Sequence, residues 1–183
     1  MKIDLQNNLG LVPNPIAMVS CGSMENSNIA TIAWTGIINS EPMLVYVSIR
    51  PSRFSHEIIT KTKEFAINLP DEKLVKQADF CGTKSGRDVN KFEVCGLTKR
   101  QSDKIAVPYI EECPINLECK VLDIQKFGSH DMFLAEVVST HCDDAIVSEN
   151  GEIDFAKANL VTFAGKKYFA SNKEVGVRGC GVK

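Results

Sequence analysis

Two arginines and two serines fall within six residues at Arg50-Pro51-Ser52-Arg53-Phe54-Ser55. They follow the apolar run 43–49 and precede His56-Glu57-Ile58-Ile59-Thr60-Lys61-Thr62, whose apolar residues have helical spacing. The guanidinium forks of Arg50 and Arg53 can make charge-assisted bonds to an anion. The Ser52 and Ser55 hydroxyls can fill its remaining lone pairs, and the free N–H groups of a helix start point outward. This is chemistry suited to a phosphate. The competing reading is a solvated loop in which Ser55 only caps the helix.

Three further stretches carry polar groups of interest. Asn28-Ile29-Ala30-Thr31-Ile32-Ala33-Trp34-Thr35-Gly36 mixes strand formers with small residues, so a flat ligand can approach the backbone and stack on Trp34, the one tryptophan. The competing reading is a core tryptophan beside small neighbours. Residues 82–92 form a second basic, hydroxyl-rich loop that offers Lys91 to an anionic or electron-rich ligand; otherwise they are a surface turn. The order of glycines, lysine and hydroxyl that defines a nucleotide-cradling P-loop is absent there. His130 lies in the turn 127–131, just before a strand. That puts it at a barrel mouth, suited to hydrogen bonding or proton transfer, or leaves it a plain surface residue.

Other chemistries fail on spacing. His141-Cys142-Asp143-Asp144 looks like a metal cluster, but neighbours on a strand point to opposite faces. No G-x-S-x-G elbow is present, and no cysteine has a recognisable catalytic context. The seven cysteines contain no Cys-x-x-Cys pair and their number is odd, so they read mostly as small hydrophobes. Cys113 and Cys119 would share a strand face but sit about 20 Å apart. Cys180, in a glycine-flanked tail, is either a reactive thiol or incidental.

The elements that must position these groups are mainly strands. Segments 16–20 and 29–34 flank a turn-rich stretch and predict a hairpin; Gly36 interrupts before the strand 43–49. Residues 65–69 make a short strand stopped by Pro70. Asp71 caps a helix running through Leu74, Val75 and Ala78, with Gly82 ending it. Segment 115–121 alternates apolar and polar residues, and 132–138 follows after a turn, giving a long hairpin or two neighbouring barrel strands. Residues 153–155 and 160–163 are shorter strands. Many strands with few short helices, and no regular βαβ alternation, predict a mostly β protein built as an antiparallel barrel. No G-x-G-x-x-G follows any strand, so a dinucleotide-binding sheet is not expected.

Composition narrows the classes. The 183 residues, 44% hydrophobic, fit one domain over 1–183 with a sizeable core. A net charge of −2 and a pI near 5.9 argue against nucleic acid as partner. No apolar run reaches the roughly 18–20 residues that cross a bilayer. The opening Met1-Lys2-Ile3-Asp4-Leu5-Gln6-Asn7-Asn8 shows no signal peptide, so a cytoplasmic location without membrane association is expected.

Taken in order, four motifs resemble the flavin reductase-like family of FMN-binding split barrels, and the flavoredoxin branch within it. They are residues 28–36, residues 49–55, Ser85-Gly86-Arg87-Asp88-Val89-Asn90-Lys91-Phe92, and Gly128-Ser129-His130-Asp131; the likeness runs from Asn14 to about Tyr168. The resemblance implies a homodimer of split barrels, each binding FMN non-covalently near the subunit interface. It gives Arg50, Ser52, Arg53 and Ser55 the FMN phosphate. It gives Asn28, Thr31, Ala33 and Trp34 the isoalloxazine and ribityl chain, and sets Lys91, His130 and Phe163 around the flavin. It also implies a flavoprotein oxidoreductase with NAD(P)H or a redox protein as the other partner, His130 being the candidate catalytic residue. The alternatives are an electron carrier without NAD(P)H activity and a non-catalytic flavin-binding module. A split barrel holding another phosphorylated ligand, such as pyridoxal phosphate, ranks below these, since no lysine is singled out for a Schiff base.

Overall fold

The computed structural model describes residues 2–6 and 10–182, so Met1, Asn7 and Asn8 of the opening stretch lie outside the described residues. A seven-stranded antiparallel sheet curls around the main core. Its strands are β2 (Ala17–Gly22), β3 (Ser27–Ile32), β4 (Thr35–Ser40), β5 (Met43–Ile49), β6 (Glu64–Leu69), β9 (Ile115–Lys126) and β10 (Asp131–Cys142), in the order β3-β2-β6-β9-β10-β5-β4. A three-stranded sheet pairs β1 (Asn14–Pro15) with β11 (Val161–Ala164), and β11 with β12 (Lys167–Ala170). Strands β7 (Lys99–Arg100) and β8 (Tyr109–Ile110) form a small ribbon. This is the antiparallel split β-barrel expected of the sequence.

The inside of the barrel is filled by Val19, Val47, Ile49, Phe65, Ile67, Phe133 and their neighbours, all buried. A second core lies on the opposite face of β2 and β3, where Met18 and Ile29 pack on Leu74, Ala78, Cys81 and Phe92. Because β2 is buried on both faces, segment 16–20 reads as a near-continuous apolar run rather than an alternating one. The β2–β3 hairpin turns at Gly22, whose φ is +97°; a Cβ there would meet the Asn26 carbonyl oxygen at 2.1 Å.

Among the described residues four α-helices accompany the sheets: α1 (Phe54–Thr62), α2 (Val75–Thr83), α3 (Lys91–Cys95) and α4 (Phe155–Ala158). Asp71 does cap its segment, accepting from the Lys73 and Leu74 N–H groups, but the first turn, Glu72–Leu74, is a 3-10 helix. Helix α2 runs one residue past Gly82.

Several expectations change. Arg53, not Ser55, holds the N-cap position of α1, and it makes no side-chain cap bond; Ser55 lies inside the first turn. Gly36 does not interrupt but sits within β4, where it lies against the Tyr46 ring. Residues 153–155 are not a strand: Ile153 makes one bridge to Val147, and Asp154 caps α4 by accepting from the Ala156 and Lys157 N–H groups. Strand β3 stops at Ile32, leaving Trp34 in the connection to β4. No helix among the described residues is long and apolar enough to cross a membrane.

Candidate functional site

All eleven residues singled out from the sequence line one cleft. Its inner pocket, of about 260 Å³, is walled by Asn28 and Thr31 of β3, by Arg50, Ser52, Arg53 and Ser55, and by Lys91 with the loop after α2. An adjoining pocket of about 370 Å³ shares Thr31, Ile32, Arg50 and Arg53 with it. That outer pocket adds Ala33, Trp34, His130 and Phe163. One end of the cleft therefore carries cations and hydroxyls, and the other carries rings.

The polar end is assembled by local folding rules. β5 delivers Arg50 at its C-terminal end, and the chain then turns into α1, with the Arg53 N–H donating to the Arg50 carbonyl at 3.0 Å. Ser55 is buried (1% exposed) and accepts a 2.8 Å hydrogen bond from Asn28 Nδ2. This fixes the Asn28 amide and leaves its Oδ1 buried without a hydrogen-bond partner. Thr31 turns its hydroxyl onto the Ala78 carbonyl of α2 at 2.6 Å, which aligns α2 against β3. Gly82 permits that approach, since a Cβ there would stand 3.2 Å from Thr31 Cβ.

Lys91 is only 3% exposed, and its ammonium donates to the Ile29 carbonyl at 2.6 Å and the Cys81 carbonyl at 2.7 Å. It ties β3, α2 and α3 together while still lining the cleft. Burial lowers its pKa, and the nearby Arg53 cation adds to the effect. The second loop is thus a built wall rather than a free surface turn.

At the other end, the His130 ring lies 4.4 Å from the Trp34 ring, centroid to centroid, tilted by 39°. Its Nδ1 is 3.0 Å from Ser129 Oγ. Burial, and then the Arg50 charge, lower the His130 pKa from its ordinary value, so the ring is mainly neutral at pH 7. Phe163 leans on Tyr168 at 5.2 Å, and Trp34 is 39% exposed, so it is not a core tryptophan.

The sequence marks the loop 82–92 but takes only Lys91 from it into the site, and it passes over His56 and Asp131. Lys84, Ser85 and Gly86 line the inner pocket, and Gly86 lies so close to Asn28 that a Cβ would meet its Oδ1 at 2.0 Å. Arg87 straps the two loops together: Nη1 donates to the Ser52 carbonyl at 3.3 Å, Nη2 to Glu57 at 3.2 Å, and the guanidinium lies 5.0 Å over the Phe54 ring. His56 pairs with buried Asp131 at 2.8 Å, fastening α1 to the start of β10. The basic, hydroxyl-rich composition of 82–92 was the available signal for the first group. Nothing in the spacing signals the His56–Asp131 pair, which is formed across 75 residues.

The stretch 141–144 does not form a ligand set of its own. His141 instead approaches Glu118 at 2.6 Å, and that buried carboxylate also accepts the Asp103 and Lys104 N–H groups. Its lone pairs hold a loop to the barrel.

Residues 9–169 match the model of the flavin reductase like domain. The chain belongs to that family. An uncharacterized protein of Archaeoglobus fulgidus is 32% identical over 151 residues, covering 82% of this chain and 85% of that protein. The flavoredoxin of Desulfovibrio vulgaris (Miyazaki F) superposes with a TM-score of 0.93 at 28% identity, covering 100% of both chains. An NADPH-flavin oxidoreductase of Streptomyces viridifaciens is 25% identical over 129 residues, 69% of this chain and 66% of that protein. The flavin reductase-like chain described here falls in the flavoredoxin-like branch and is a flavin-related oxidoreductase with a flavin as its cofactor class. Its cleft fits such a group on its own terms: an orphaned buried acceptor at Asn28, a glycine-lined approach at Gly86, and a cationic end beside an aromatic one.

Proposed function

We propose that this chain binds FMN non-covalently and serves as an FMN-dependent oxidoreductase of the flavoredoxin type. It passes hydride or electrons between NAD(P)H or a redox protein and an acceptor. The observation that carries the choice of FMN is the continuity of the two pockets through Thr31, Ile32, Arg50 and Arg53. A ligand filling both needs an anionic terminus joined to a flat ring system. Pyridoxal phosphate is disfavoured because Lys91, the buried lysine of the cleft, is held by two carbonyls as an ammonium.

When bound, the isoalloxazine supplies the redox chemistry. The chain supplies position and charge. Arg50 and Arg53 neutralise the phosphate, with Ser52 and Ser55 completing its hydrogen bonds. Asn28 Oδ1 accepts from a hydroxyl of the ligand. Thr31, Ala33 and Trp34 form the wall for the flat portion, with Phe163 at its edge. Lys91 places a buried positive charge beside that wall, which favours the reduced, more negative state. His130, mainly neutral and propped by Ser129 and Trp34, orients a substrate at the mouth by hydrogen bonding. The same reading makes the protein a homodimer, with exposed Ile37 and Ile38 of edge strand β4 available for cover.

The test is the visible spectrum of the purified protein, with the released chromophore identified, followed by anaerobic addition of NADH and NADPH. FMN bands bleached by a nicotinamide establish reductase activity. Bands bleached only by dithionite or a reduced protein donor establish the carrier, which the 28% identity and full-length superposition with a flavoredoxin favour. A colourless protein that does not take up FMN overturns the assignment.

A further inference from the structure

Of the thiols described, Cys81 and Cys95 touch each other. Their sulfurs are 3.9 Å apart, although fourteen residues separate them in sequence. Cys81 lies near the end of α2, 1% exposed; Cys95 is the last residue of α3 and half-buried. Lys91 holds the two helices in this relation by donating to the Cys81 carbonyl. A disulfide needs sulfurs about 2.05 Å apart, so its formation draws two sulfurs already in contact closer together. The ring so formed would enclose Gly82, Lys84, Ser85, Gly86 and Lys91, all of which line the inner pocket.

We propose that Cys81 and Cys95 are an oxidisable thiol pair whose disulfide fastens the second loop over the anion-binding end of the cleft. Cys95 is the sulfur that reacts first. It is the more exposed of the two, Cys81 being buried, so an oxidant reaches it first. Burial raises the pKa of both thiols, that of Cys81 to about 12, so the pair is slow toward mild oxidants.

With a peroxide the balance is complete. The Cys95 thiolate attacks one peroxide oxygen, the O–O bond breaks, and a sulfenic acid forms with hydroxide as leaving group. The Cys81 sulfur then attacks the sulfenic sulfur and expels the second hydroxide. The two thiol protons convert both hydroxides to water, and the two electrons lost by sulfur have reduced the peroxide. A small dithiol reverses the bridge by exchange.

The bridge and the fastening do not depend on the FMN assignment; the effect on a bound cofactor rests on it. The test treats the full-length protein with hydrogen peroxide and then blocks the remaining thiols before peptide mapping. The expected result is one linkage, Cys81 to Cys95, restored to free thiols by dithiothreitol and absent in Cys95→Ser. Hydrogen exchange read without cofactor should slow roughly fivefold or more in the 83–90 segment of the oxidised wild type. Release of bound FMN should slow with it. A map that places the bridge elsewhere, or that leaves both cysteines alkylatable, overturns the pair. A correct bridge with unchanged exchange overturns the fastening. Failure of the protein to take up FMN in either state, with bridge and exchange as expected, overturns only the cofactor assignment.

Discussion

The two ends of the cleft are built in opposite ways. At the polar end the inner wall is tied before any ligand arrives, Asn28 to Ser55, Thr31 to the Ala78 carbonyl and Lys91 to two carbonyls, while Arg50, Ser52 and Arg53 stand exposed at its rim. At the aromatic end Trp34 is 39% exposed, and His130 rests on a ring contact and one hydroxyl. A wall already fixed loses no side-chain freedom when a ligand settles on it, whereas loosely held rings can admit and release a second molecule. Under the proposed function, the polar end is the anchor and the aromatic end the place of exchange.

The hardest blow to that division is Arg50→Ala combined with Arg53→Ala. Each charge-assisted bond is worth about 1.5–3 kcal/mol, so the dissociation constant for FMN should rise roughly a hundredfold or more. Fluorescence titration measures it, and a change below threefold would mean the anchor lies elsewhere. Lys91→Met tests whether the wall is structural. Leaving the Ile29 and Cys81 carbonyls unpaired should cost about 1–3 kcal/mol and lower Tm by roughly 5 °C, read by calorimetry.

Gly86→Ala sharpens the comparison at one atom. The new methyl group runs into Asn28 Oδ1, and because Asn28 is held by Ser55 the loop must give way. Overpacking of this kind costs about 1–3 kcal/mol, so FMN affinity should fall about tenfold with little change in the far-ultraviolet spectrum. At the exchange end, His130→Ala should lower turnover several-fold and leave bound flavin intact; unchanged steady-state rates remove His130 from the mechanism.

The smallest expected effect is on pH. The folded His130 pKa lies below its unfolded value, so between the two the unfolded chain binds more protons and stability falls as pH drops through that window. His130→Gln should flatten the slope of Tm against pH just below 6.5.

Much of this was legible in the residues. The run 43–49 followed by paired arginines and serines gives β5 and the cationic end directly, because a buried strand and a helix start have strong local signatures. Strand β4 was hidden because it lies at the sheet edge, with Ile37, Ile38, Asn39 and Ser40 exposed and no inward alternation to read. Residues 153–155 misled because apolar Ile153 and Phe155 flank Asp154 with strand-like alternation, while the Asp154 side chain in fact starts a helix. The Asn28 acceptor and the Cys81–Cys95 contact depend on how α2 and α3 pack on β3, and no spacing rule carries that information.

The Asn28 amide has a consequence for ligand choice. With Nδ2 committed to Ser55, what remains of the amide is the buried Oδ1 against Gly86, which only accepts. Under the proposed function, a ligand hydroxyl that reaches this oxygen brings the proton that completes the amide, whereas a ketone or ether in its place sets lone pair against lone pair. Analogues of equal size and charge should separate on that single proton.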